Sequence, residues 1–376
     1  MPWGVAGMVG LILAVECWVA RNRLDFSDPV SLSWRFSAEA ATTRAPGCDV
    51  VCLGDSLVKH GLFPALIERE TGRRAVNLSA ARGPTLMSYF LFRRALDAGA
   101  RPSAVILNAK PAVLIGGPDY DARYWQEVLT LREGLELLQM TRRVPFMVST
   151  LLGRLLPSFR SRLEVRSNLL AALRGETDPL HAINRVLWRN WTVNAGANVT
   201  AANSPYQGEV APEVERQLHT SRFHVERTNA EAIERLLKLA EKRKIPVFWL
   251  MAPLSPNLQA LRDRSGAEAK YEQFVRTIQV RYPQVMTVLD ARRAAYPPKL
   301  FIDATHLSGG GGIALSRSIA TAIGRELSRT QSTTSGSWIA LDPPSDRPAG
   351  FEASIEDLEE SKRILHLDTT AHVSSR

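Results

Sequence analysis

The stretch CDVVCLGDSLVKHG, residues 48–61, decides how the rest of the chain is interpreted. An apolar run at residues 50–53 ends abruptly at Gly54-Asp55-Ser56-Leu57, as a buried strand does when it turns into a helix. Ser56 then has two interpretations: a helix N-cap, or a nucleophile held at the end of a strand. One serine does not decide between them, because a nucleophile also requires a base, an orienting carboxylate and oxyanion donors.

Short apolar runs and helical periods alternate from residue 49 onward. The apolar runs predict five strands, at residues 50–53, 75–78, 104–107, 245–251 and 285–289. A β-α-β-α-β order implies parallel strands joined by right-handed crossovers. We therefore expect the loops after the first three strands to meet at one edge of the sheet and to form a site there.

Composition bounds the class of protein. The 376 residues are 45% hydrophobic and 23% charged, which is typical of a globular chain. A net charge of +9 suits an anionic membrane surface. It also suits nucleic acid, but no nucleic-acid motif accompanies it, so we expect no nucleic-acid partner. Cys17, Cys48 and Cys52 form neither a disulfide framework nor a zinc pattern with histidine, so we assign no metal.

The first twenty residues predict a transmembrane anchor. Residues 3–20, WGVAGMVGLILAVECWVA, are apolar except for Glu16, and Trp3 and Trp18 bracket them as interfacial anchors do. A helix of this length spans about 27 Å at ~1.5 Å per residue, enough for a thin bilayer. A cleaved signal peptide and a buried N-terminal helix are the alternatives. Arg21 and Arg23 would place the following domain in the cytoplasm by the positive-inside rule.

The remaining regions follow from composition. We predict a polar linker at residues 21–47, an α/β domain at 48–328 and a mostly disordered tail at 329–376. Residues 118–220 interrupt the alternation and predict a helical insertion that serves as a lid. Its Arg-rich part, residues 142–174, either faces anionic lipid or is the solvated face of an ordinary helix.

The second chemical signal is FIDATHLSGGGG, residues 301–312. Asp303 and His306 are three residues apart, which lets the carboxylate reach the Nδ1–H of the imidazole within one turn. Nε2 is then available to take a proton from a serine hydroxyl. A surface Asp–His pair is the alternative, but the predicted topology brings this pair and Ser56 to the same sheet edge.

These motifs resemble those of the SGNH (GDSL) hydrolase superfamily. Residues 54–57 match its first block, with Ser56 in the nucleophile's place, and residues 77–83 match its second block. In that block the final glycine, here Gly83, gives its N–H to the oxyanion. Asp303 and His306 match the family's paired acid and base. The resemblance covers residues 48–117 and 225–328. It implies a flavodoxin-like three-layer α/β/α fold with a five-stranded parallel sheet and no cofactor.

The block after the third strand departs from the family's Gly-x-Asn-Asp pattern. The strand leads here into LNAKP, residues 107–111, so that Lys110 stands at the register position of the family's asparagine. Asn108 lies in the same loop, and we assign it as a third oxyanion donor beside the N–H groups of Ser56 and Gly83. Because the loss of one oxyanion donor costs ~10²–10³ in rate, this loop bears directly on catalytic speed.

One branch of the superfamily combines the same features. The N-terminal anchor, the Pro-containing third block and the late D-x-x-H-L-S resemble membrane-anchored members that act in alginate O-acetylation and teichoic acid D-alanylation. The resemblance implies an esterase or O-acyltransferase for a cell-envelope polysaccharide, with a multi-pass acyltransferase as a candidate partner. It also implies a domain outside the cytoplasmic membrane, which we favour over the orientation indicated by Arg21 and Arg23.

Other functions stay open. The irregular third block is also compatible with a membrane-anchored envelope binding protein that has this scaffold and little catalysis. A nucleotide-binding flavodoxin-like domain is a weaker alternative, because no Gly-rich phosphate loop follows the first strand. Lys59 and Arg82 flank the predicted cleft, either as contacts to an anionic substrate or as solvated surface charges.

Overall fold

The computed structural model describes residues 3–21, 27–156, 179–220, 223–329, 337–344 and 355–367. Within these residues one sheet has six strands in the order β2-β1-β3-β4-β5-β6, all paired in parallel. The strands are β1 (Val50–Leu53), β2 (Ala75–Asn77), β3 (Ala104–Leu107), β4 (Val247–Met251), β5 (Met286–Asp290) and β6 (Trp338–Ala340). The predicted α/β class with a parallel sheet is confirmed.

The helices alternate with these strands along the chain. In chain order they are α1 (Trp3–Arg21), α2 (Pro29–Thr43), α3 (Ser56–Gly61), α4 (Pro64–Thr71), α5 (Thr85–Asp97), α6 (Pro111–Ile115), α7 (Trp125–Val128), α8 (Leu131–Thr141), α9 (Val144–Leu155), α10 (Pro179–Val193), α11 (Pro212–Thr220), α12 (Arg227–Arg243), α13 (Pro256–Arg264), α14 (Ala267–Arg281), α15 (Gly309–Arg329) and α16 (Leu358–Ile364). Short 3₁₀ turns lie at Ala45–Gly47, Pro118–Tyr124 and Pro298–Leu300.

The prediction of five strands is wrong by one strand. Strand β6 lies in the region predicted as a mostly disordered tail, and it places Trp338 opposite Val288 of β5. Its three residues are too few to produce a periodic pattern in the sequence. The tail prediction is therefore wrong for β6, whereas α16 lies within residues 355–367, the one part of the tail with a weak helical pattern. Residues 330–336, 345–354 and 368–376 lie outside the described residues.

The strand order reverses at β1. The chain passes from β1 to β2 on one side of the sheet and returns to β3 on the other side. In doubly wound sheets, such a switch point leaves a crevice at the carboxyl ends of the strands, where ligands bind. The loops that follow β1 and β3 therefore border the crevice, and Ser56 is the first residue of the helix after β1.

Helices cover both faces of the sheet, as side-chain alternation along β4 makes clear. Phe248 and Leu250 pack in one apolar cluster with Ile319 and Ile323 of α15. Trp249 points to the opposite face, and its indole N–H donates to the hydroxyl of Tyr271 in α14 at 3.2 Å. This burial on both faces explains why the strands read as continuous apolar runs rather than as alternating ones.

The sheet belongs to one of two compact units, which comprises residues 36–117 and 186–376 where they are described. The other unit comprises residues 1–35 and 118–185, with the same restriction. An aromatic contact lies inside this second unit, where Trp34 meets Trp125 edge-on at 5.2 Å between ring centroids. The insertion predicted at 118–220 is mostly helical where described, with residues 194–211 as an exception, and its residues 186–220 belong with the sheet. Residues 157–178, which include much of the Arg-rich segment, lie outside the described residues.

The N-terminal region forms two helices, α1 and α2, where a transmembrane anchor and a polar linker were predicted. The linker prediction is wrong over Pro29–Thr43, which form α2 and bury Leu32, Trp34 and Phe36. The segment predicted as an anchor is helical, and α1 exposes the apolar side chains of Trp3, Val5, Met8, Val9, Leu11, Ile12, Leu13 and Val15. No helix of the described residues, however, is long and apolar enough to cross a membrane.

Candidate active site

The loop after β1 holds Ser56 through a tight turn. Gly54 has a φ of +147°, a conformation that L side chains rarely adopt, and a Cβ there would lie 2.9 Å from the Asn108 carbonyl oxygen. Asp55 is the N-cap of α3, because its side chain accepts the Leu57 N–H at 2.8 Å. The cap interpretation of Ser56 is therefore wrong, since the neighbouring aspartate has that role.

The second loop holds Asp303 and His306. Asp303 Oδ1 accepts the backbone N–H groups of Thr305 at 2.7 Å and of His306 at 2.9 Å, so the carboxylate closes its own turn. The Ile302 N–H donates to the His306 carbonyl at 2.8 Å and narrows the loop into a hairpin. These bonds explain why the Asp-x-x-His spacing places the imidazole beside the second carboxylate oxygen.

The structure brings the two loops together at the carboxyl edge of the sheet. His306 Nδ1 lies 2.8 Å from Asp303 Oδ2, and His306 Nε2 lies 2.8 Å from Ser56 Oγ. Both distances are those of hydrogen bonds. Ser56 itself is only 9% exposed, whereas the His306 and Asp303 side chains are 26% and 53% exposed. The carboxylate therefore lies on the solvent side of the chain of hydrogen bonds and the serine lies on the inner side.

The charge of Asp303 fixes the direction of these bonds. Burial raises the pKa of Asp303, but hydrogen bonds from the His306 ring and from two backbone N–H groups outweigh burial and lower it to about 2. A carboxylate only accepts hydrogen bonds, so Nδ1 of His306 donates. In a neutral ring, Nε2 then accepts the proton of the Ser56 hydroxyl, which is the arrangement that general-base catalysis requires.

Four glycines follow in the loop after His306, and the last three pack closely against neighbouring segments. The four glycines form the first turn of α15. A Cβ at Gly310 would lie 2.6 Å from the Ala202 carbonyl oxygen, and one at Gly312 would lie 2.5 Å from the Phe63 ring. The backbone N–H of Gly310 donates to that same Ala202 carbonyl at 3.0 Å. The run of glycines therefore fastens the catalytic loop to its neighbours.

Two of the predicted oxyanion donors lie beside the nucleophile. Within the described residues, no acceptor takes the backbone N–H of Ser56. The N–H of Gly83 donates to the Ala80 carbonyl at 3.0 Å, within a turn. A Cβ at Gly83 would lie 3.2 Å from the Gly54 carbonyl oxygen, so the turn lies against the nucleophile loop. Ser56 thus offers an open donor, whereas the Gly83 donor is already engaged.

Asn108, the third predicted donor, takes part in the hydrogen bonding of the sheet. Its backbone N–H donates to the Leu53 carbonyl at 3.0 Å, and its side-chain amide donates to the Leu250 carbonyl at 2.8 Å. It is 3% exposed. These bonds tie the loop after β3 to β1 and β4, so the structure places Asn108 in the sheet rather than in the oxyanion hole.

Lys110 occupies the same loop and reaches the nucleophile. Its Nζ lies 3.4 Å from Ser56 Oγ and 3.1 Å from Asp55 Oδ2. Sequence register had aligned Lys110 with a donor position, but only the structure gives the direction of its side chain. The Ser56 hydroxyl therefore has an imidazole at one hydrogen-bond position and an ammonium group at a second.

Lys59 lies on the side of α3 that faces Gly196 and Trp191, which we call the inner side. This position is contrary to both sequence interpretations. It is 1% exposed, and its Nζ donates to the carbonyls of Ser79 at 3.3 Å and Gly196 at 3.1 Å. The ammonium also lies 4.2 Å from the centroid of the Trp191 ring. Burial lowers the pKa of Lys59 to about 7. It therefore contacts neither a substrate nor bulk solvent, whereas Arg82 is exposed.

His60 is a second histidine beside the base. Its ring centroid lies 5.2 Å from that of His306, and the Asn198 side-chain amide lies 3.2 Å from its Nε2. Burial lowers the pKa of His60 to about 3, and the charges of His306 and Lys59 act in the same direction. His60 is therefore neutral near pH 7 and forms a polar, uncharged wall beside the catalytic loop.

Comparison with known proteins adds no identification. No protein-family model matches the chain, and no curated protein is detectably similar to it. The assignment of function therefore depends on the geometry of the site.

Proposed function

We propose that the protein is a serine esterase or O-acyltransferase that acts on acyl esters through Ser56, His306 and Asp303. The observation that carries this proposal is the continuous chain of hydrogen bonds from Ser56 Oγ through the imidazole to the Asp303 carboxylate, at 2.8 Å for each link. Ser56 meets Asp303 and His306, which lie about 250 positions later in the chain, in the geometry that activates a serine hydroxyl.

The reaction proceeds in two stages. Ser56 Oγ attacks the acyl carbonyl carbon while its proton passes to His306 Nε2, and the carbonyl electron pair becomes the oxyanion. When the oxyanion collapses, the bond to the alcohol breaks, and the departing oxygen takes the proton from His306. Water or a sugar hydroxyl then attacks the acyl-Ser56 ester by the same steps. Water gives an esterase, and a sugar hydroxyl gives an O-acyltransferase.

The substrate class and the location are part of the same proposal. We infer a cell-envelope polysaccharide as the substrate from the motifs shared with membrane-anchored SGNH proteins. The apolar side chains exposed by α1 support attachment to the envelope membrane. The same shared motifs are the ground for placing the α/β unit on its outer side. Flotation of the full chain with lipid vesicles tests the attachment, because a chain that stays at the bottom of the gradient lacks it.

A second candidate function has one observation in its favour. The Gly83 N–H, the Asn108 backbone N–H and one N–H of the Asn108 amide are already bonded within the protein, which weakens a conventional oxyanion hole. This favours an envelope binding protein that has an SGNH scaffold and little catalysis. A fluorophosphonate probe separates the two candidates, because it modifies only an activated serine.

The test uses the full chain with 4-nitrophenyl acetate and with a fluorophosphonate. We expect ester hydrolysis and a single modification on Ser56. We also expect Ser56→Ala to abolish the modification and to lower the rate at least ~10³-fold. Ser328→Ala is the matched control, because that hydroxyl is exposed and donates to the Gly324 carbonyl of its own helix. A folded wild-type chain that neither hydrolyses the ester nor reacts at Ser56 would overturn the enzyme proposal.

A further inference from the structure

Lys110 lies where it contacts the reacting atom. The residue precedes α6 as its N-cap, and its side chain is 21% exposed. Its Nζ lies 3.4 Å from Ser56 Oγ, on a hydroxyl that already bonds to His306 Nε2. An ammonium group has three donors and no acceptor, so the contact runs from Lys110 toward the serine oxygen.

Asp55 holds this ammonium group in place. The Asp55 carboxylate is 1% exposed, and Oδ1 accepts the Leu57 N–H at 2.8 Å, which fixes the orientation of the carboxylate. Oδ2 lies 3.1 Å from Lys110 Nζ. A buried carboxylate facing an ammonium at this distance attracts it strongly, because water does not screen the pair fully. The Lys110 side chain is thereby fixed at one end by α6 and at the other by Asp55.

We propose that Lys110 is a catalytic residue whose ammonium stabilises the oxyanion formed on attack by Ser56. This role rests on the proposed acyl-transfer reaction. The oxyanion is two bonds from Ser56 Oγ, so a donor 3.4 Å from that oxygen is within reach of the new charge. A charged donor bonds an oxyanion more strongly than an amide does. Lys110 therefore supplies what the engaged donors of Gly83 and Asn108 do not.

The Asp55–Lys110 pair keeps the site electrically balanced before reaction. Asp55 neutralises the lysine in the resting state, so the free site carries no unpaired cation against Ser56. Asp55 Oδ2 faces the ammonium as an ion pair at 3.1 Å, so the N–H donors of Lys110 are available to Ser56 Oγ and to the developing oxyanion. The preference for the transition state arises because the negative charge near Lys110 increases only there.

The test compares Lys110→Met and Lys110→Arg with wild type. With neutral 4-nitrophenyl acetate, we expect Lys110→Met to lower kcat ~10²–10³-fold and to leave KM nearly unchanged. Lys110→Arg retains a cation and is expected to recover part of the loss. Lys238→Met is the control, because Lys238 lies on the exposed face of α12 with a side chain that is 66% exposed.

A second variant guards against loss of folding. Lys110→Met leaves the buried Asp55 carboxylate without its cation, which destabilises the fold. The double variant Asp55→Asn/Lys110→Met removes both charges, and its Asn side-chain oxygen is still able to accept the Leu57 N–H. We expect this variant to fold and to show the same loss of kcat as Lys110→Met.

The outcomes separate this inference from the function on which it rests. Suppose that the wild-type protein is modified by the fluorophosphonate and hydrolyses the ester normally. If the folded Lys110 variants then match it in kcat, the inference is wrong and the serine mechanism stands. A change confined to KM for an anionic ester, 4-nitrophenyl hemisuccinate, would make Lys110 a substrate-binding residue and also overturn it. If wild-type Ser56 does not react with the fluorophosphonate at all, both proposals fail together.

Discussion

The two sides of helix α3 carry polar groups of different kinds. On the cleft side, Ser56 lies among a histidine and paired charges, and the His306, Asp303 and Lys110 side chains there are partly exposed. On the inner side, Lys59 is surrounded by backbone carbonyls and the Trp191 ring, and no carboxylate pairs with it among the described residues. The cleft side thus holds proton acceptors and charges suited to chemistry, whereas the inner side satisfies backbone groups and holds the loops together.

The largest expected effect lies on the cleft side, at Asp303. Asp303→Asn presents an amide to Nδ1 and favours the imidazole tautomer that cannot accept the serine proton. We expect kcat to fall ~10³–10⁴-fold, equivalent to about 4–5.5 kcal/mol of transition-state stabilisation. The melting temperature should change little, because this side chain is 53% exposed.

Ester hydrolysis and a thermal melt on the same sample check the Asp303 prediction. Asp263→Asn is the matched control, since Asp263 pairs with Arg293 on the surface. A kcat for Asp303→Asn within about tenfold of wild type, or ~1.4 kcal/mol, would contradict the assignment of Asp303 as the orienting carboxylate.

On the inner side, the largest expected effect is on stability, at Asn77. Its fully buried amide donates to the Val58 and Leu62 carbonyls at 2.9 Å each, and its oxygen accepts the Ser79 N–H at 3.0 Å. Asn77→Ala removes these bonds and leaves the buried Ser79 N–H without its acceptor, although the Val58 carbonyl keeps the Leu62 N–H, and we expect the unfolding free energy to fall by about 2–4 kcal/mol. The folded fraction should keep most of its kcat, because Asn77 does not contact the reacting atoms.

Urea unfolding followed by tryptophan fluorescence measures the Asn77 effect. Thr277→Ala is the control, since that hydroxyl is exposed on α14, and we expect a change within ~0.5 kcal/mol. If Asn77→Ala instead lowered kcat strongly at unchanged stability, the division of roles between the two sides of α3 would be wrong.

The cleft side was more predictable from sequence than the inner side. Ser56, Asp303 and His306 follow strands or precede a helix at positions that a parallel sheet brings to one edge, so topology alone predicted their meeting. The direction of Lys110 depends on its pairing with Asp55, which no spacing rule gives. The sequence therefore predicted the meeting of Ser56, Asp303 and His306, but it assigned Asn108 rather than Lys110 as the donor from the loop after β3.

The burial of Lys59 had no sequence signal. On α3 it stands three residues after Ser56 and directly before His60, and the sequence interpretation favoured an exposed face. It is buried because Gly196, 137 residues later, contributes a carbonyl that receives its ammonium. Periodicity reports only neighbours within a helix or strand, so long-range coverage of this kind is invisible to it. The three-residue strand β6 was missed for the related reason that its pairing partner, not its own pattern, makes it a strand.

The smallest expected effect concerns Lys59 and is a change in the slope of the unfolding free energy against pH. Its pKa is lowered from 10.5 to about 7 in the folded chain, so between about pH 7 and 10.5 the unfolded chain binds more protons than the folded one. Lys59 therefore makes the unfolding free energy increase as the pH rises through that window, and this increase is absent below about pH 7. One proton limits the slope to less than ~1.4 kcal/mol per pH unit.

Lys59→Met removes the titrating group and should flatten this part of the pH profile. Urea unfolding of wild type and variant at several pH values from 7 to 9.5 gives the difference in slope, in which the titration of other groups cancels. Lys238→Met is again the control, because an exposed ammonium contributes no comparable slope. If wild type and Lys59→Met showed parallel profiles, the ammonium of Lys59 would be no less favourable inside the fold than in water. The carbonyls of Ser79 and Gly196 together with the Trp191 ring would then compensate fully for its burial, and the inner side of α3 would tolerate charge as well as the cleft side does.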